Sequence, residues 1–117
     1  MENCLGRSEQ FKELDKKLTK EADKLCEEMR MGHIPIFQRW IETKLECISK
    51  SKTLIIRNPN LTIDELAQLL DDRIEREARK LHRTKTFEKM EGIYSNLSAL
   101  EWTRNIVRTV ELKYRQP

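Results

Sequence analysis

Apolar residues recur along the chain at steps of three and four, and no long stretch alternates singly between apolar and polar. Phe11, Leu14, Leu18, Ala22, Leu25 and Met29 form the first such stripe, which predicts a helix over residues 8–31. Gly32 falls just past the last periodic residue, where a left-handed residue commonly closes a helix, and Pro35 suits the opening turn of the next one. The second helix, 35–56, places Phe37, Trp40, Ile41, Leu45, Ile48 and Ile55 on one broad face, with Cys47 on its edge. A stripe that wide predicts contact with more than one neighbour.

The run Arg57-Asn58-Pro59-Asn60 interrupts the pattern, because proline lacks a backbone donor and biases the preceding residue away from helix. Thr62 and Glu65 then have the spacing of a capping box, and Leu61 and Leu66 stand at the positions of a hydrophobic staple. Ile63, Leu66, Ala67, Leu70, Ile74, Ala78 and Leu81 share one face beyond it, so a third helix is expected over 63–82. A fourth, 86–115, repeats Ile93, Leu100, Val107 and Tyr114 every seven residues. Gly92 and the cluster Ser95-Asn96-Leu97-Ser98 allow a kink or break in it, with Ser98 and Glu101 able to restart it. Short links between four helices predict an all-α fold, a single antiparallel helical bundle that occupies residues 1–117 and has a flexible N-terminal segment over 1–7.

Composition agrees with long solvated helices: 37% of the 117 residues are charged, and only three glycines and three prolines are present. A chain of this length keeps much of its surface in water, so association with a second copy or another protein is a natural source of stability. Residues 1–7 are too few and too polar for a secretion signal, and no run approaches a membrane span. A cytoplasmic location without membrane contact is therefore expected. Cys4, Cys26 and Cys47 are odd in number and form no CxxC pair, which argues against a disulfide framework or a zinc ribbon. His33 and His82 are the only histidines; the first lies in a predicted loop, and the second suits the dipole at a helix C-terminus. No phosphate-cradling glycine loop, nucleophile elbow or H-E-x-x-H pair occurs, so no conventional catalytic constellation and no cofactor site is expected.

A helical bundle can nonetheless hold Mg²⁺ between carboxylates of facing helices, and Glu42 and Glu46 on the second helix with Asp64, Glu65, Asp71 and Asp72 on the third are the candidates. Over the middle third of the chain this arrangement resembles in part the all-helical nucleoside triphosphate pyrophosphatases of the MazG type. That family carries an E-x-x-E helix followed by an E-x-x-D helix. In Thr43-Lys44-Leu45-Glu46 the first acid is absent, and in Glu65-Leu66-Ala67-Gln68 the closing aspartate is glutamine. The resemblance implies a Mg²⁺-dependent hydrolase. Helical geometry sets against it that Glu42, Glu46 and Glu65 fall opposite the apolar centres of their own helices, and only Asp71 borders a stripe.

The bases are unevenly placed although the net charge is only +3. Residues 58–72 hold four acids and no base, whereas 73–89 hold seven bases and three acids. Arg104, Arg108, Lys113 and Arg115 form a second basic stretch. Nucleic-acid binding is one reading of that asymmetry, and Leu61-Thr62-Ile63-Asp64-Glu65-Leu66-Ala67 resembles the opening helix of helix-turn-helix proteins. The tight turn and recognition helix of that family are missing, because the helical phase runs on through Asp71-Asp72-Arg73-Ile74. Arg73, Arg76, Lys80 and Arg83 share about one quadrant of the third helix, a candidate docking face for phosphate or an acidic partner. The leading expectation is a small helical interaction or assembly protein, a homo-oligomer or an accessory subunit, with Trp40, Cys47 and Trp102 as candidate interface residues.

Overall fold

The computed structural model describes the backbone at residues 2–32 and 35–115, and side chains at 9–32 and 37–114. It is an all-α four-helix bundle of α1 (Glu2–Arg30), α2 (Pro35–Arg57), α3 (Ile63–Arg83) and α4 (Phe87–Arg115). Helical backbone in α1 starts at Glu2, six residues ahead of the expected Ser8. His33 lies outside the described residues. None of the helices, over the described residues, is long and apolar enough to cross a membrane.

Local chemistry sets the helix ends. Gly32 takes φ +75°, and its amide donates to the Met29 carbonyl at 3.2 Å, so the residue that bears no side-chain penalty turns the chain out of α1. The capping box at the start of α3 closes in both directions: the Glu65 amide donates to Thr62 Oγ1, and the Thr62 amide donates to Glu65 Oε1, each at 3.1 Å. Two otherwise orphaned backbone donors are thereby satisfied. Leu61 packs on the core that Leu66 enters fully buried. α4 is unbroken through Gly92 and Ser95-Asn96-Leu97-Ser98.

Pairings along the helices define the topology. Lys52 reaches Asp15 at 3.5 Å and donates to Thr19 at 2.6 Å, which ties the second half of α2 to the middle of α1. Asp71 with Arg104 and Asp64 with Arg108 set α3 antiparallel to α4. Ser95 donates to Thr43 at 3.2 Å, and Lys44 sits over the Trp102 ring, so α2 and α4 run parallel. The core between the helices contains Leu14, Leu18, Ile48, Leu66, Leu70, Val107 and Val110. Phe37, expected on the core stripe of α2, is 58% exposed, because the buried layer of that helix begins only at Ile41.

α4 packs against all three other helices, whereas the consecutive α2 and α3 barely touch. The cause lies on the face of α4 turned to α2. Ser95, Ala99 and Thr103 follow one another at four-residue steps, all buried, so a small-residue strip lets α2 approach α4 closely. With α4 wedged between them, α2 and α3 become the two banks of an open groove.

Candidate functional site

The groove is a cavity of about 400 Å³. Thr43, Glu46, Cys47 and Lys50 form the α2 bank, while Arg73, Arg76, Glu77 and Lys80 form the α3 bank. Asn96, Ala99 and Leu100 of α4 make the floor. A second cavity of about 420 Å³ adjoins it through Glu77, Lys80 and Asn96, and is extended by Arg83, Lys89, Gly92 and Ile93. All four residues of the expected basic face, Arg73, Arg76, Lys80 and Arg83, therefore line one continuous trough. Lys50, from the opposite bank, was not legible as a member, because nothing in the sequence pattern says which turn of α2 faces α3.

The charges in the trough are only partly matched. Glu46 lies 3.5 Å from Lys50, and Glu77 lies 2.8 Å from Lys80. Among the described residues, Arg73, Arg76, Arg83 and Lys89 make no ion pair or side-chain hydrogen bond. A guanidinium that no protein acceptor holds keeps its planar fork of donors for a ligand. Cys47 lies buried at the foot of the α2 bank. Burial pushes its thiol above the usual range, outweighing the opposing pull of the Thr103 hydrogen bond and of the Arg73 and Lys50 charges. A thiol so shifted is a packing group rather than a nucleophile.

The candidate acids are dispersed. Glu42, Glu46, Glu65 and Asp72 are exposed, and Glu65 is engaged in its cap. Asp71 accepts from Arg104 Nη1 at 2.8 Å and from Arg108 Nη2 at 3.1 Å. The hydrogen bond from Arg104 is the main cause that holds its carboxyl below the usual range, with Arg108 adding to it against some desolvation. Among the described residues no three Asp, Glu, His or Cys side chains converge as a cation site. Each oxygen of the Asp71 carboxylate accepts from a guanidinium, so its charge is matched by arginine.

In the second basic stretch Arg104, Arg108 and Lys113 follow the same logic, and the Arg115 side chain lies outside the described residues. Arg108 also donates to Glu111 at 2.8 Å and to Asp64 at 3.1 Å, contacts that raise its already high pKa, the Glu111 bond most of all. Lys113 bonds Glu13 of α1. These bases fasten α4 to α3 and α1. Of the candidate interface residues, Cys47 is buried, and Trp40 and Trp102 are half-buried, Trp102 under the Lys44 ammonium at 5.0 Å from the ring centre. The large exposed apolar side chains are others: Met31, Phe37, Phe87 and Tyr94 at one end of the bundle, Ile56 and Leu112 at the other, and Leu69 and Tyr114 to a lesser degree. Comparisons with protein-family models, with curated proteins and with solved structures find no match for this chain.

Proposed function

We propose that the chain is a helical interaction protein whose recognition surface is the basic trough between α2 and α3. The observation that carries this reading is the convergence of unpaired bases, Arg73, Arg76 and Arg83, on one open concavity. Ion pairing explains Arg104, Arg108 and Lys113 of α4 without recourse to a ligand, but it does not explain these bases of α3. Recognition here is non-catalytic: the trough offers donors over a mixed floor of Asn96, Ala99 and Leu100, its one thiol is held protonated, and its carboxylates Glu46 and Glu77 face lysines.

The test is a low-salt titration of the isotope-labelled chain with two anionic probes, poly-L-glutamate and a short single-stranded DNA, followed by amide chemical shifts. Shifts centred on Arg76, Gly92 and Asn96 that vanish when Arg73, Arg76 and Lys80 are changed to glutamine are the expected result. Binding that leaves these amides unmoved would overturn the reading.

Self-association is a second reading, favoured by Met31, Phe37, Phe87 and Tyr94, which expose apolar surface at the same end of the bundle. Sedimentation of the Phe37→Ser and Phe87→Ser double variant beside the unaltered chain tests it. A dimer lost on substitution supports it, and a chain that stays monomeric at high micromolar concentration removes it.

A further inference from the structure

We propose, resting on the recognition surface above, that the occupant of the trough is an acidic amphipathic helix of a partner protein. The bases define the register. Arg73, Arg76, Lys80 and Arg83 step by three, four and three residues along α3, which spreads them over about 15 Å of helix rise. A compact anion such as a single phosphate is gripped by donors gathered around one point, whereas this row is linear and has the three-four period of a helix face. Acids spaced the same way on an antiparallel or parallel neighbour meet it one for one, as flanking charges do beside a coiled-coil seam.

The floor supplies the seam. Cys47, Ala99, Leu100 and Ile93 line the two cavities as nearly buried apolar groups, Asn96 stands exposed among them, and Gly92 leaves open space where a side chain would project. A narrow apolar strip beside one basic wall, that of α3, is the complement of a helix that carries small apolar residues on one line and carboxylates along the side turned to α3. α2 and α3 stand apart with α4 beneath them, and a helix laid in that gap restores the side-by-side packing the consecutive pair lacks.

A single-stranded nucleic acid fits less well. Its bases need aromatic platforms, and no Phe, Tyr or Trp is among the residues that line either cavity. Phe87 and Tyr94, the exposed aromatics nearest in sequence, fall on the far side of α4 from Gly92 and Asn96 at about 100° per residue. The chain's own acidic run is a poor occupant too, since Asp64 and Asp71 are bonded to Arg108 and Arg104, and Glu65 to its cap.

The experiment uses the whole chain and a synthetic helical peptide of about 15 residues, long enough to span the row, with glutamates flanking an alanine and leucine line. Three peptide controls accompany it: glutamates replaced by glutamine, a central proline at unchanged charge, and the acidic sequence scrambled to destroy its apolar line. A single-stranded oligonucleotide and inorganic pyrophosphate complete the set. On the protein side, Gly92→Leu fills the open space without altering charge, and Arg73→Gln with Arg76→Gln removes charge without filling it. The expected result is amide shifts at Gly92, Asn96 and Ala99 with the acidic helix, and affinity reduced roughly tenfold or more by every peptide control and by both protein variants. A proline-interrupted or scrambled peptide that binds as tightly overturns the helical occupant while the basic trough stands. An oligonucleotide or pyrophosphate that moves the same amides when the peptide does not also overturns it. If no probe moves them, the trough reading falls together with its occupant.

Discussion

Two rows of bases lie within a few ångströms of the same helix pair and do different work. On α4, Arg104 and Arg108 face the acidic half of α3 and are bonded to Asp71, Asp64 and Glu111. On α3, Arg73, Arg76 and Arg83 face the gap left by α2 and bond nothing within the described chain. The residue types are alike and the nearest neighbours differ. Arg108 meets acids because α4 crosses α3 at the turn where four acids and no base occur over residues 58–72, and the bases of α3 begin where that crossing partner presents Asn96, Gly92 and Ala99 instead. Charge is thus spent on folding where helices meet and left over where they part.

The comparison breaks first, and by the largest margin, at Arg108. Arg108→Met removes the one hydrogen-bond partner that the Glu111 carboxylate has among the described residues; that residue is 6% exposed and has one oxygen already unsatisfied. A loss of about 2–3 kcal/mol is expected, below the full cost of stripping a deeply buried pair because the guanidinium itself is part-exposed. Urea denaturation checks it.

Asp71→Asn comes next, at about 1 kcal/mol, since one neutral acceptor still reaches Arg104. This substitution also carries a pH signature. The folded-state pKa of Asp71 lies below its unfolded value, so its contribution is present above about pH 4 and is lost as pH falls through the folded value. Denaturation midpoints measured from neutral pH down to about pH 2 should therefore fall more steeply in the unaltered protein than in Asp71→Asn. Parallel curves would show that the aspartate is not held as described.

Thr62→Ala, at the start of the same helix, is expected to cost about 1 kcal/mol through the lost cap, with no change in any binding property of the trough. The smallest effect belongs to the other row. Arg73→Gln, Arg76→Gln and Lys80→Gln combined should shift stability by no more than roughly 0.5 kcal/mol, because the one pair they remove, Lys80 with Glu77, leaves the lysine largely in water. A larger loss in the same urea experiment would mean that these bases serve the fold after all.

Much of the architecture was written in local patterns. The Thr62 and Glu65 spacing, the left-handed Gly32 and the heptad of Ile93, Leu100 and Val107, whose fourth member Tyr114 is exposed, each act within a few residues, so sequence alone carries them. The basic quadrant of α3 was legible for the same reason. What connects residues more than 30 positions apart was not: Asp71 with Arg104, Asp64 with Arg108, and Lys50 across the groove from Arg76 all depend on which helix faces which. Ser95 and Asn96 show how a local signal can mislead. Their turn-forming habit left room for a kink in the long helix expected over 86–115, yet α4 is continuous, with Ser95 buried against Thr43 where α2 comes close and Asn96 on the floor of the groove. That row of small residues at helical spacing, Gly92, Ser95, Asn96 and Ala99, was the available sign that something approaches α4 closely.

The most direct measurement of the central contrast is the salt dependence of affinity for the acidic helical peptide, taken in the unaltered chain, in Arg73→Gln with Arg76→Gln, and in Arg104→Gln. Each contact between a base and an acid of the ligand adds to the slope of log affinity against log salt. The account predicts a clearly flatter slope on removal of Arg73 and Arg76 with the denaturation midpoint held, and for Arg104→Gln a lowered midpoint with the slope held. An unchanged slope in the first variant, or a flattened one in the second, would contradict it.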